Sequence, residues 1–123
     1  MKQLIYVFMG GGLGSVLRFL INRFLNPLSG FPLGTLLCNT TASLLVGVLT
    51  IVAARYFQWT NEIMYIVIIG FCGGLSTFST FSGETVYLLN NEMSTVALLN
   101  IVVSITACLC SVWAGQKIAM HYL

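Results

Sequence analysis

The densest polar chemistry in this chain of 123 residues lies in one run, Gly70-Phe71-Cys72-Gly73-Gly74-Leu75-Ser76-Thr77-Phe78-Ser79-Thr80-Phe81-Ser82-Gly83-Glu84. Hydroxyls mix with phenyl rings there, and no charge enters until Glu84. Upstream, Thr35, Asn39, Ala42 or Ser43, Gly47 and Thr50 share one stripe at helical spacing, and downstream Asn100, Ser104, Cys108 and Ser111 do the same. These residues do not assemble a nucleophile, a base and an orienting group, which sets catalysis aside. What they can do is take the place of water around an ion. Amide and hydroxyl donors, together with the positive rims of phenyl rings, suit a small, strongly hydrated anion without the tight grip of a full cation. Backbone carbonyls freed by a break in the glycine-rich run would suit a monovalent cation. Cys38, Cys72, Cys108 and Cys110 form no CxxC pair and read as small packing residues, and His121 stands alone, with no metal-site spacing.

Groups of this kind must be held by elements that live in lipid. The chain is 58% hydrophobic and 7% charged, against the ~25% charged share of soluble domains. A net charge of +2 gives too few cations to neutralise a nucleic-acid backbone, so nucleic acid is not an expected partner. Four apolar runs reach the ~20 residues a helix needs to cross the hydrocarbon core: residues 4–24, 33–54, 63–89 and 96–115. They are continuously apolar rather than alternating, which favours helices over barrel strands. Turn residues separate them. Asn26-Pro27-Leu28-Ser29-Gly30-Phe31-Pro32 divides the first pair, and Asn90-Asn91-Glu92-Met93-Ser94 the last. Between the second and third, Tyr56, Phe57 and Trp59 read as rings at headgroup level. The first run, with Gly10-Gly11-Gly12 inside it and no small-residue cleavage site, reads as a retained helix rather than a secretory signal.

Within these spans, Gly10 with Gly14 and Gly70 with Gly74 form small-xxx-small pairs, which let helices approach closely. Arg18 lies on the Gly10–Gly14 stripe; its guanidinium either snorkels to the nearer surface or meets water or an anion inside the assembly. The third span is long for a bilayer, and its glycines and hydroxyls make a poor continuous helix, so a break is predicted near residues 73–79. Four helices at ordinary spacing fill their own centre, which puts any conduction path between subunits. Lys2, Arg55 and Lys117 fall on one side of the membrane and Arg23, with Arg18, on the other. So small a contrast leaves open both dual insertion and a fixed orientation with cytoplasmic Lys2 and Lys117.

The run from Gly70 to Phe81, with Gly34-Thr35 and Asn39 upstream and Arg18 after a glycine-rich start, closely resembles the small fluoride channels of the Fluc, or CrcB, family. The resemblance spans nearly the whole chain. It implies an all-α integral membrane protein, one domain over residues 1–123 with four transmembrane helices and the third broken mid-membrane. It further implies an antiparallel, dual-topology homodimer in the inner (plasma) membrane. Such a dimer holds two pores and exports fluoride passively from the cytoplasm. Matched to that pattern, Phe78 and Phe81 resemble the pore phenylalanines, Asn39 the pore asparagine, and Ser79 and Thr80 the hydroxyl track between the rings. The carbonyls of Gly73 and Ser76, from both subunits, would enclose a structural sodium ion at the dimer centre. Arg18 is similar to the family's first-helix arginine and Glu84 to the acid after the motif; Ser104 joins the pore on helical phase alone. Ser76 stands where the family often has threonine, and Ala42 where it commonly has glycine.

Two other functions compete. A small proton-coupled multidrug exporter also has four short spans, but it needs a titratable carboxylate deep in its site, and the first, second and fourth spans hold none. A structural membrane subunit would leave the interruption of the third span without a purpose.

Overall fold

A computed structural model describes residues 1–26, 30–55 and 61–122 of the chain. Pro27, Leu28 and Ser29 of the first turn, and the ring residues Tyr56, Phe57 and Trp59, lie outside the described residues. The fold is all-helical. Helix α1 spans Lys2–Leu25 and α2 spans Leu33–Arg55. A third helical segment, α3, runs without interruption through Asn61–Ile63, Met64–Cys72 and Gly73–Leu75, its long middle part wound as a π-helix. Helix α4 spans Phe78–Asn90 and α5 spans Ser94–Tyr122. Among the described residues four segments, with α3 and α4 counted as one, are long and apolar enough to cross a membrane. The chain is a multi-pass membrane protein. Its outer surface agrees, since Leu4, Phe8, Leu13, Phe24, Leu98 and Leu109 are all well exposed on the single chain, where lipid is the fitting solvent.

Two backbone-on-backbone contacts organise the bundle. Helix α1 lies against α3 so closely that a Cβ on Gly14 would sit 2.8 Å from the Leu75 nitrogen, and one on Gly10 would sit 2.9 Å from that of Phe71. Helix α2 meets α5 in the same way, with Gly47 against the Val112 backbone and Gly115 against that of Leu44 and Val48. Gly115 therefore ends nothing, and α5 continues past the limit of 115 expected from the apolar run to Tyr122. Cys38, Ala42, Cys72 and Leu75 form a small core at the junction of α2 and α3. Cys38 and Cys72 thus pack as expected for small apolar residues, whereas Cys110 is exposed on the outer face of α5.

Between α3 and α4 the backbone at Ser76 (ψ 153°) and Thr77 (φ −154°, ψ 119°) is extended. The preceding glycines do not cause this: Gly73 is helical at φ −64° and ψ −36°. Thr77 starts α4 as its N-cap, its side-chain oxygen accepting from the Thr80 N–H at 3.1 Å. At the other end of α4 the turn is a Schellman arrangement. The Met93 and Glu92 N–H groups donate to the carbonyls of Leu88 and Leu89, and Glu92 takes the left-handed φ of 60° that the motif requires.

Candidate functional site

The extended pair Ser76-Thr77 is held open from α2. Asn39 grips Thr77 with both ends of its amide: Nδ2 donates to the Thr77 carbonyl at 3.2 Å, and the Thr77 N–H donates to Oδ1 at 2.7 Å. An amide side chain thereby does what a neighbouring peptide group does in a sheet. Satisfying backbone groups from a side chain is how non-helical backbone survives away from water. In an unbroken helix the Thr77 N–H would have bonded the Gly73 carbonyl. Its diversion to Asn39 releases that carbonyl for another partner.

Around this junction lies a cavity of about 330 Å³, walled by Asn39, Ser43, Ser76, Thr77, Phe78, Phe81, Ser104 and Cys108, with Ile105 and Leu109 completing it. Asn39, Phe78, Phe81 and Ser104, named from the sequence on three different spans, meet here. The two rings sit 5.6 Å apart, tilted by 42°. Phe81 is 8% exposed and Phe78 is 78% exposed, so the first ring is built into the wall and the second stands at the open side. The start of α4 faces the same space, where unpaired N–H groups and the helix dipole favour negative charge. No lining residue carries a formal charge.

Ser79 and Thr80 are placed differently from the cavity residues. Thr77 Oγ1 donates to Thr80 Oγ1 at 3.0 Å and lies 3.2 Å from Ser79 Oγ, so these hydroxyls gather on the cap of α4 and are not among the lining residues. Sequence reasoning gives Thr77 no role of its own. Its position just before a periodic run, three residues ahead of Thr80, is the signature of a capping residue.

Gly73 and Ser76 line a second hollow of about 240 Å³ with Ala42, Ser43, Val46, Ile68, Cys72 and Val112. Its wall offers backbone and hydroxyl oxygens and no carboxylate, a donor set that fits a monovalent hard cation better than a divalent one. Among the described residues no group of three His, Cys, Asp or Glu side chains is placed to hold a metal.

Arg18 is half-buried on α1. Glu84 sits away from the cavity wall and ties α4 to the α1–α2 turn. Its Oε1 accepts from Asn26 Nδ2 at 2.9 Å and from Thr35 Oγ1 at 2.8 Å, while Asn26 Oδ1 accepts from the Gly34 N–H at 2.7 Å. The second carboxyl oxygen, Oε2, is buried without a donor. Glu84→Gln keeps the oxygen that Asn26 and Thr35 use and removes the carboxylate charge from this half-buried place, so it should leave thermal unfolding in detergent unchanged or raise its midpoint. Glu84→Ala strands Asn26 and Thr35 and should cost about 1–3 kcal/mol. Unfolding monitored by circular dichroism checks the ordering of the two variants.

Four spans among the described residues, and an uncharged cavity with a few amide and hydroxyl groups set in apolar walls at the capped start of a helix, define a small polytopic membrane protein. Comparison with known proteins narrows this. A family profile described as "CrcB-like protein, Camphor Resistance (CrcB)" matches residues 5–116. The chain is 37% identical to a protein named "Fluoride-specific ion channel FluC" from Citrifermentans bemidjiense, over 97% of this chain and 98% of that one. It is 38% identical to the protein of the same name from Shewanella frigidimarina, over 96% of each chain. "Fluoride-specific ion channel FluC 1" of Staphylococcus aureus is 36% identical, over 94% of this chain and 95% of that one. The chain belongs to the CrcB (Fluc) family, a family of ion channels rather than enzymes.

Proposed function

We propose that this protein is a fluoride channel, and that fluoride passes the cavity where Asn39, Phe78, Phe81 and Ser104 meet. The observation that carries the reading is the combination of near full-length relatives named fluoride-specific channels with an uncharged cavity at the start of α4 that holds a few amide and hydroxyl groups among phenyl rings. Fluoride gives up its water only where other donors replace it, and a formal cation would hold it too tightly for release. Asn39 Nδ2 has a second N–H beyond the one spent on Thr77, the phenyl edges of Phe78 and Phe81 carry partial positive charge, and the α4 terminus adds its dipole. Ser79 and Thr80, gathered on the same cap outside the lining of the single-chain cavity, form in this reading the hydroxyl track that the ion meets beyond it.

In this reading the whole chain is one four-helix transmembrane domain whose third span is interrupted at membrane depth. It works as an antiparallel homodimer of dual topology in the inner (plasma) membrane. The openness of the cavity and the exposure of Phe78 on a single chain support a pore completed by a second copy. The carbonyls of Gly73 and Ser76 from both copies would hold a sodium ion, whose charge would fasten the two interruptions together. Fluoride then leaves the cytoplasm passively, down its electrochemical gradient. Arg18 supports the anion near the membrane surface, and Glu84 braces α4.

The test is efflux from liposomes containing the purified protein. Fluoride should leave rapidly and chloride hardly at all; equal rates for the two anions would remove the assignment. Phe81→Ile keeps an apolar side chain in the wall and deletes the ring edge. It should lower fluoride efflux strongly while elution on size exclusion stays unchanged.

A further inference from the structure

A chain of hydrogen bonds runs behind the cavity wall from α5 to α4. Ser104 Oγ donates to Asn100 Oδ1 at 3.2 Å, Asn100 Nδ2 donates to Thr85 Oγ1 at 2.9 Å, and Thr85 Oγ1 donates to the Phe81 carbonyl at 2.8 Å. Asn100 is 1% exposed, Ser104 5% and Thr85 6%, so solvent does not compete for these bonds. The direction of this arrangement follows from its α4 end. A hydroxyl has one proton, and Thr85 spends it on Phe81, so the amide atom facing Thr85 must be the donor. Asn100 Oδ1 therefore faces Ser104 and takes the Ser104 proton. Ser104 borders the cavity. In this arrangement it turns only lone pairs toward an anion there.

The same three side chains have a second arrangement, with one bond fewer until the Ser104 proton finds an acceptor. If the Asn100 amide turns by half a rotation, Thr85 donates to Oδ1 and Nδ2 donates to Ser104 Oγ. The Ser104 proton is then free to point into the cavity. The Phe81 carbonyl gives up its side-chain donor but keeps its place in the helical ladder of α4. No bond is lost once an anion accepts from Ser104, and a hydrogen bond to an ion is roughly twice as strong as one between neutral groups. An anion in the cavity thus stabilises the reversed chain, and an empty cavity stabilises the original one.

Resting on the fluoride-channel reading, we infer that Asn100 and Thr85 are positioning residues that set which way the Ser104 hydroxyl points, and that reversal of this chain turns Ser104 into a donor as the anion arrives. Neither residue borders the cavity; both act through Ser104.

The experiment is fluoride efflux from liposomes holding the full chain, with size exclusion as a check on assembly. Thr85→Val keeps the shape of threonine and removes the hydroxyl, so it should lower efflux about tenfold, in keeping with the worth of one hydrogen bond. Thr85→Ser keeps the hydroxyl and loses a methyl group, and should restore efflux to near the parent rate. A role in packing alone predicts the opposite order. Asn100→Leu should lower efflux to a similar degree, and Asn100→Leu combined with Ser104→Ala should be no worse than either alone, because the residues work as one chain. Parent-like efflux in Thr85→Val and Asn100→Leu, or independent losses that multiply in the Asn100 and Ser104 pair, would overturn the inference and leave the channel assignment standing. Absence of fluoride efflux from the parent protein would instead bring down that assignment, and the inference with it.

Discussion

Asn39→Leu is expected to abolish fluoride efflux, by at least about a hundredfold, through two losses that follow from one side chain. The first is structural. Thr77 is 7% exposed; its N–H relies on Asn39, and its carbonyl takes a second donor from it beside the first bond of α4. Leucine fills a similar volume and offers neither partner, so the buried Thr77 N–H is left unsatisfied at about 1–3 kcal/mol, and its carbonyl loses one of its two donors. The segment then regains partners by winding Ser76 and Thr77 into helix, which re-aims α4 and closes the junction where Phe81 stands. The second loss is the N–H that Asn39 keeps free for the ion. Asn39→Asp separates the two effects. A carboxylate still accepts from the Thr77 N–H, so the N–H side of the junction survives, but it sets a charged oxygen against the Thr77 carbonyl and a negative charge in the cavity. Assembly should be retained on size exclusion while efflux is lost. Wild-type efflux from Asn39→Leu would remove Asn39 from the pathway and from the junction together.

That double role marks where the sequence was legible and where it was not. Apolar length alone yields the helices, because in lipid every backbone group must find an internal partner and a long uncharged run has only the helix as a solution. Helical spacing likewise brings Asn39 and Ser104 to one side of their helices, and both border the cavity with Phe78 and Phe81. The cause of the extended turn at Ser76 and Thr77 lies beyond that kind of reading. Glycine content points to residues 73 and 74, yet Gly73 is helical; the chain turns only where a capping hydroxyl and a side chain from another helix supply the missing bonds. Contacts of this sort join residues far apart in the chain, and a periodicity along one helix does not encode which neighbour answers it. The same holds for Glu84, whose partners Asn26 and Thr35 come from other helices, and for Ser79 and Thr80, which turn to Thr77 instead of the cavity. Asn100 is a further case: its stripe is visible in the sequence, but its link to Thr85 is set only by the packing of α5 on α4.

The largest effect on folding is expected from a single methyl group. In lipid the helices insert before they pack, and packing is driven by close contact rather than by exclusion of water. A change that keeps α1 from touching α3 therefore leaves the spans in the membrane and removes the fold. Gly14→Ala puts a Cβ into the Phe71 carbonyl oxygen and 2.8 Å from the Leu75 nitrogen. Both obstacles are backbone, held by the helix they belong to, so neither can swing aside as a side-chain end would. Separation of the helices is the remaining response, and it also pulls Leu75 from the small core with Cys38 and Cys72. The cost should exceed about 3 kcal/mol, beyond ordinary overpacking, because the whole α1–α3 contact is lifted. Gly12→Ala is the matched control. A Cβ there meets nothing within 4 Å, and Gly12 is exposed in the same helix. Alanine should stabilise α1 by up to about 1 kcal/mol, the helix-propensity gain over glycine. The same substitution two residues apart should thus move the unfolding midpoint in opposite directions, downward at Gly14 and upward at Gly12, in detergent-solubilised protein followed by circular dichroism. Shifts of the same sign at both positions would mean that α1 and α3 do not meet through their glycines.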